Sequence, residues 1–295
     1  MLYQKLASLV PLLGEKAEVI QQAYWINNPR LATQFEVFLD CITAKHSLNP
    51  SEFNSQGWKY ATVDHDLKAE YTAKLNDHLT LASNLLNMSG VIPVVQGTRE
   101  NAAHRIAKNG FGTLASLDPG WYGQGIYFTS KMAYAGTYSR PSKDGSLVFV
   151  ISLAVPGNAF PITAPPYVGS HPNPQGYLGE PCHRGYQSHY TIVDVSGKVT
   201  NGHPLRTRPT NSSFDELVVF EPAQALPIFL VHANPGTFSL IPFFFFLLIH
   251  WWGGLNTFFF FFFFLFSSFY DRKPGSSTEP KTRVDQLKQR ESTSP

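Results

Sequence analysis

Leu147 to Val155 (Leu-Val-Phe-Val-Ile-Ser-Leu-Ala-Val) limits what this chain can become more than any other segment. A strand with one face in water alternates apolar and polar residues. This one is apolar on both faces apart from Ser152, which predicts a central strand covered on both sides. Pro156 and Gly157 end it, and the rest of the chain must supply a layer for each face. The other strand signals are short: Val91 to Val95, closing at Gly97; Gly125 to Thr129; Tyr190 to Val195; Leu217 to Phe220; and Ile228 to His232. Before Val91 the spacing is helical. Leu6, Leu9, Leu12 and Leu13 predict a short helix within residues 1–20. Trp25, Ile26, Leu31, Phe35, Phe38, Leu39 and Ile42 continue in that style through residues 21–46, interrupted by Pro29. Leu67, Tyr71, Leu75, Leu79 and Leu81 predict a helix over 64–88. Thr98 reads as the cap of a helix running to Asn109, where Gly110 stops it, with Ala102, Ala103, Ile106 and Ala107 turned inward. Residues 49–58 and 158–188 are rich in turn formers and read as loops. Helices followed by short strands, without regular β-α alternation, predict an α+β fold.

A formal net charge of +2 with 15% charged residues does not mark a binder of nucleic acid. Cys41 and Cys182, the two cysteines, stand far apart and form no zinc spacing, so no metal is expected and a reducing compartment is the simplest reading. The first residues lack the apolar run of a secretory signal. His104, His171, His183 and His189 each look catalytic in isolation. Surface or satisfied polar contacts are the better reading for all four, with His189 the one placed to line a cleft.

Four segments narrow the reading. Gln96-Gly97-Thr98 ends a strand and is followed by a helix and Gly110-Phe111. Leu117-Asp118-Pro119-Gly120-Trp121-Tyr122-Gly123-Gln124-Gly125-Ile126-Tyr127-Phe128-Thr129 forms a glycine-rich turn leading into a strand. Tyr138 follows eleven residues after Tyr127. Asp215-Glu216-Leu217-Val218-Val219-Phe220-Glu221-Pro222 comes last. In this order they resemble the catalytic domain of the poly(ADP-ribose) polymerase-like ADP-ribosyltransferases, which carry His-Gly-Thr/Ser, Tyr-Gly-x-Gly-Ile-Tyr-Phe and a late Asn/Asp-Glu-x-Val-Val-Phe. Trp25-Ile26-Asn27-Asn28-Pro29-Arg30-Leu31 and Phe35 are similar to the helix preceding this domain in mono-ADP-ribosylating members. Gly123 and Gly125 do not make a Rossmann fingerprint, because they precede a strand and no Gly-x-Gly-x-x-Gly is complete.

The resemblance implies a fold of short antiparallel strands in a split sheet around an NAD cleft, with helices on the N-terminal side. It implies NAD⁺ as co-substrate, protein acceptors as partners, and release of nicotinamide through an oxocarbenium-like transition state that a carboxylate stabilises. Glu216 is the expected carboxylate. Gly97 would offer its backbone to the carboxamide, Thr98 and Phe128 would line the cofactor site, and Tyr127 and Tyr138 would hold the nicotinamide ring between them. Phe214 stands where arginine-specific toxin-like enzymes carry a second glutamate. Gln96 replaces the family's usual histidine and keeps an amide that can donate and accept. Ala135 replaces a frequent serine. These departures leave a weakly active or inactive NAD-binding module as one alternative, and an NAD⁺ glycohydrolase as another. The short segment between Val195 and Phe214 favours mono- over poly-ADP-ribosylation.

Expected domains are an N-terminal helical segment over 1–20, the catalytic domain over 21–235, a phenylalanine-rich tract over 236–270 and a disordered polar tail over 271–295. Phe238 to Tyr270 contains no Asp, Glu, Lys or Arg and exceeds the roughly 20 residues that span a bilayer. It reads either as an anchor on the cytosolic face of an internal membrane or as the translation of a T-rich intron. His250, Gly253, Gly254 and Asn256 split it into two shorter runs. The expected location is cytoplasmic or nuclear, with or without that anchor.

Overall fold

A computed structural model describes residues 2–53, 65–112, 120–164, 167–168, 171–174, 176–193 and 214–237. Contacts divide the chain into Met1–Ile241 and Pro242–Pro295, and every described residue belongs to the first unit. Leu117–Pro119 of the glycine-rich motif, the whole short segment between Val195 and Phe214, the phenylalanine-rich tract from residue 238 and the polar tail lie outside the described residues. No helix among the described residues is long and apolar enough to cross a membrane.

The fold is α+β with mainly antiparallel strands. Strand β4 (Leu147–Ala154) lies inside a four-stranded sheet between β10 (Ala225–Ala233) and β2 (Ile92–Thr98), with β1 (Ile20–Trp25) on the far edge beside β10. Its two faces meet two different layers, as its composition demands. Phe149 and Ile151 pack with Leu6, Leu9, Val10 and Leu13, so the N-terminal helix α1 (Leu2–Leu9) and the turn after it form one layer. Val148 and Val150 pack with Tyr71, Leu75 and Ala82 of α3 (His65–Leu86) and Ala103 of α4 (Glu100–Asn109), the other layer. Helix α2 (Pro29–Leu48) starts behind Asn28, whose side chain accepts the Leu31 N–H at 3.3 Å, with proline in its first turn. Phe35 of α2 packs on Val91 and Val155.

Two expectations fail locally. Ile20–Trp25 does not belong to a helix but is an edge strand in register with Phe229–Ala233. Most of its side chains are exposed, so it carries no apolar periodicity to read. Thr98 does not cap α4; it is the last residue of β2, and its carbonyl accepts the Arg140 N–H at 3.3 Å. Gly110 does end α4, with φ +84° and its N–H on the Ile106 carbonyl at 2.8 Å.

A second four-stranded sheet runs β3 (Ile126–Phe128), β9 (Phe214–Val219), β8 (Ser188–Val193) and β5 (Ala159–Pro161). Its β5 and β8 are parallel, inside the region that the sequence presents as a loop. That region also holds the two-residue pair β6 (Tyr167–Val168) and β7 (His171–Pro172). The short helix α5 (Met132–Gly136) follows β3. Among the described residues one backbone bridge, Val95 to Thr129, joins the two sheets, and this is the split that the resemblance implies.

Candidate active site

Strand β9 separates its residues by parity. Leu217 and Val219 enter the core shared with α3, while Val218 joins a second core with Tyr122, Tyr134 and Tyr127. Glu216 shares the Val218 face, and Asp215 the opposite one. Tyr127 pairs with Val218 across β3 and β9, and Thr191 of β8 pairs with Glu216.

Glu216 is 7% exposed. Its Oε1 accepts the Tyr134 hydroxyl at 2.5 Å, and that hydroxyl lies 3.0 Å from the hydroxyl of Tyr138. Tyr134 is 2% exposed and Tyr138 59%, so a hydrogen-bonded chain runs from a buried carboxylate to an exposed ring. Burial and the charge of Glu216 raise the Tyr134 phenol far above its usual range. The phenol of Tyr122 is also pushed well up, first by burial and then by Glu216, with Tyr127 and Tyr138 contributing. The Tyr122 hydroxyl is buried and has no hydrogen-bond partner among the described residues.

The Tyr127 hydroxyl is occupied: it donates to the Gly123 carbonyl at 2.8 Å and accepts the Tyr122 N–H at 2.8 Å. It therefore pins the glycine-rich turn and leaves its ring to do other work. The Gln96 amide donates to the Tyr127 carbonyl at 3.2 Å, fastening β2 to β3.

Gly97 has two distinct features. Val95 N–H and C=O both bond to Thr129, at 2.9 and 3.1 Å, and so point away from β4. In an antiparallel ladder residues two apart point the same way, so the N–H and C=O of Gly97 face past the bridge, off the edge of the sheet. A Cβ on Gly97 would lie 1.8 Å from the Ala135 carbonyl oxygen, which accepts the Tyr138 N–H at 3.0 Å. Glycine here lets the end of α5 lie on β2 and so sets where Tyr134 and Tyr138 stand.

Thr98 lies beside them on β2 and is held through its carbonyl. Phe128 is not brought to this group. It points opposite to Tyr127, and its ring is buried edge-on against Phe111 at 4.9 Å. His189 does not line a cleft: it is 0% exposed, with Nδ1 donating to the Tyr122 carbonyl at 2.6 Å and Nε2 accepting the His183 N–H at 2.8 Å. Burial pushes its imidazole down to about 4. His104 and His171 are exposed. Among the described residues no group of three or more His, Cys, Asp or Glu side chains could hold a metal ion.

Sequence reasoning missed Tyr134 and Tyr122. Tyr122 lies within the motif but looks like a generic aromatic. Tyr134 lies four residues before Tyr138, one helical turn, which is the signal that could have found it.

The family model of the poly(ADP-ribose) polymerase catalytic domain matches residues 87–234. No curated protein matches the chain.

Proposed function

The chain belongs to the poly(ADP-ribose) polymerase catalytic domain family, and we propose that it is an NAD⁺-dependent ADP-ribosyltransferase that adds single ADP-ribose units to protein acceptors, with Glu216 as its central carboxylate. The observation carrying this reading is the buried Glu216 carboxylate, joined through Tyr134 to the exposed ring of Tyr138.

The residues present fit NAD⁺. Gly97 presents a donor and an acceptor at a sheet edge, as a carboxamide requires. Tyr138 offers an exposed aromatic face, and the buried Tyr122 hydroxyl has a bond to give. Bound there, NAD⁺ supplies the ribose–nicotinamide bond that the transfer breaks. Glu216 holds negative charge where positive charge develops on the sugar and accepts the proton of the attacking group. Tyr127 contributes its ring and Gln96 fastens the strand on which Gly97 sits. Single-unit transfer is supported by the similarity of the Trp25–Phe35 region to mono-ADP-ribosylating members and by the short segment before Phe214.

The test is incubation of the full chain with labelled NAD⁺ beside Glu216→Gln, following both protein label and free nicotinamide. Label on protein in the parent and not in the variant supports a transferase. Nicotinamide without label indicates a hydrolase. NAD⁺ binding with neither product indicates a binding module, in which the Gln96 amide is spent on the Tyr127 carbonyl.

A further inference from the structure

Tyr134 joins Glu216 to Tyr138, and its hydroxyl makes a short contact to the carboxylate. We propose that Tyr134 is the positioning residue of the site, holding the Glu216 carboxylate ionised and aimed. This rests on the reading of Glu216 as the central carboxylate.

Three observations carry it. The contact is a 2.5 Å O–H···O bond to a carboxylate, in the range of charge-assisted bonds. The Tyr134 ring cannot swing away: it is buried, tilted against Phe214 at 5.0 Å and edge-on to Tyr138 at 5.5 Å. The backbone beneath it is fixed too, since the Tyr134 carbonyl accepts the Thr137 hydroxyl at 2.8 Å and the Thr137 N–H at 3.1 Å. The Tyr138 hydroxyl behind Tyr134 completes a chain from the exposed ring to the carboxylate, so a ligand stacking on Tyr138 bears on the group that aims Glu216.

Among the titratable groups facing Glu216 are Tyr134 from α5, Tyr138 just beyond it and Tyr122 from the glycine-rich turn. These three are phenols, and Tyr134 is the one bonded to the carboxylate. A hydrogen bond to the ionised form lowers a carboxyl pKa, and Tyr134 makes that bond to Oε1. With burial and then the Glu216 charge both opposing its own ionisation, Tyr134 stays a donor across the working range.

The experiment is Tyr134→Phe in the full chain, which keeps the ring and deletes the hydroxyl. Two readouts are followed: steady-state transfer against pH, and the Glu216 carboxyl resonance in a carbon-13-labelled protein, identified by its loss in Glu216→Gln. The expected result is a kcat lower by about 10- to 100-fold with KM for NAD⁺ little changed. The acid limb of the pH profile and the Glu216 titration should both move up by about one pH unit. Tyr138→Phe should move both the same way by less. An unchanged Glu216 titration in Tyr134→Phe overturns the proposal, as does an unchanged kcat in an active enzyme. A parent that binds NAD⁺ but transfers nothing overturns the transferase reading alone; the carboxyl titration then decides by itself whether Tyr134 holds Glu216.

Discussion

Asp215 and Glu216 are neighbours on one strand, are both buried, and have opposite surroundings. Asp215 faces α3 and accepts the Ser130 N–H at 2.7 Å, the Ser130 hydroxyl at 2.8 Å, the Thr129 hydroxyl at 3.0 Å and the Tyr190 hydroxyl at 3.0 Å, with His78 Nε2 at 3.5 Å. Its bonds close the turn between β3 and α5 against β8 and α3. Glu216 faces the other way, into a group of tyrosines whose outermost ring is in water. The four donors around Asp215 leave its carboxylate fixed in place as part of the fold. The face that leads to an exposed aromatic ring is where a carboxylate can meet a substrate. Under the proposed function the two adjacent acids divide the labour of one strand, and the division can be tested from either side.

The largest effect should fall on activity. Glu216→Gln keeps an acceptor for Tyr134 and removes the charge. It should lower kcat/KM for transfer by about 10³-fold while the unfolding midpoint barely moves. Equal losses of activity and stability would merge the two acids into one structural pair. The complementary variant, Asp215→Ala, leaves the hydroxyls of Thr129, Ser130 and Tyr190 without their acceptor. It should cost about 3 kcal/mol in denaturant unfolding. Stability near that of the parent would show that the Asp215 network is dispensable.

His189 on β8 sharpens the comparison, as a buried group satisfied in its neutral form. Its pKa falls from 6.5 to about 4 on folding. Between those values the unfolded chain binds a proton that the folded protein refuses. The contribution is therefore complete above about pH 6.5 and is lost as pH falls toward 4, to a total on the order of 3 kcal/mol. Protonation would place a second donor on Nε2, opposite the His183 N–H that it now accepts. Unfolding free energies at pH 7 and pH 4.5 should show the fall, and His189→Gln should flatten it. Identical slopes in the two proteins would remove His189 from the account.

How far these differences could be read beforehand depended on whether they were local. β4 was legible because an apolar run on both faces has one stable setting, and the structure places it between β10 and β2. Glu216 and Tyr127 stood out because their neighbours in sequence carry the motif. β1 was not: Gln21, Gln22 and Ala23 on an exposed edge have no buried face to announce them. Tyr134 and the pinned His189 were not either, because their roles depend on where α5 and the Gly120–Tyr122 turn come to rest. That in turn depends on Gly97, whose missing side chain admits the Ala135 carbonyl. The sequence singled out Gly97 for a ligand's approach; the approach of the Ala135 carbonyl was not legible in it.

The smallest expected effect discriminates most finely, because it asks what one donor is worth on each face. Asp215 receives four hydrogen bonds, two of them from Ser130, whose N–H survives replacement of the side chain. Ser130→Ala should cost about 1 kcal/mol in unfolding. It should leave kcat/KM for transfer unchanged, since Thr129, Tyr190 and the Ser130 N–H still hold the carboxylate. Tyr134→Phe deletes a donor of the same kind from the other acid, and there the loss should appear in kcat. Thermal melts and pH-rate profiles of the two variants, run side by side, compare the faces directly. If Ser130→Ala lowered kcat as much as Tyr134→Phe does, aim would be a property of the whole strand. If only Tyr134→Phe lowers it, aim belongs to the face that carries Glu216.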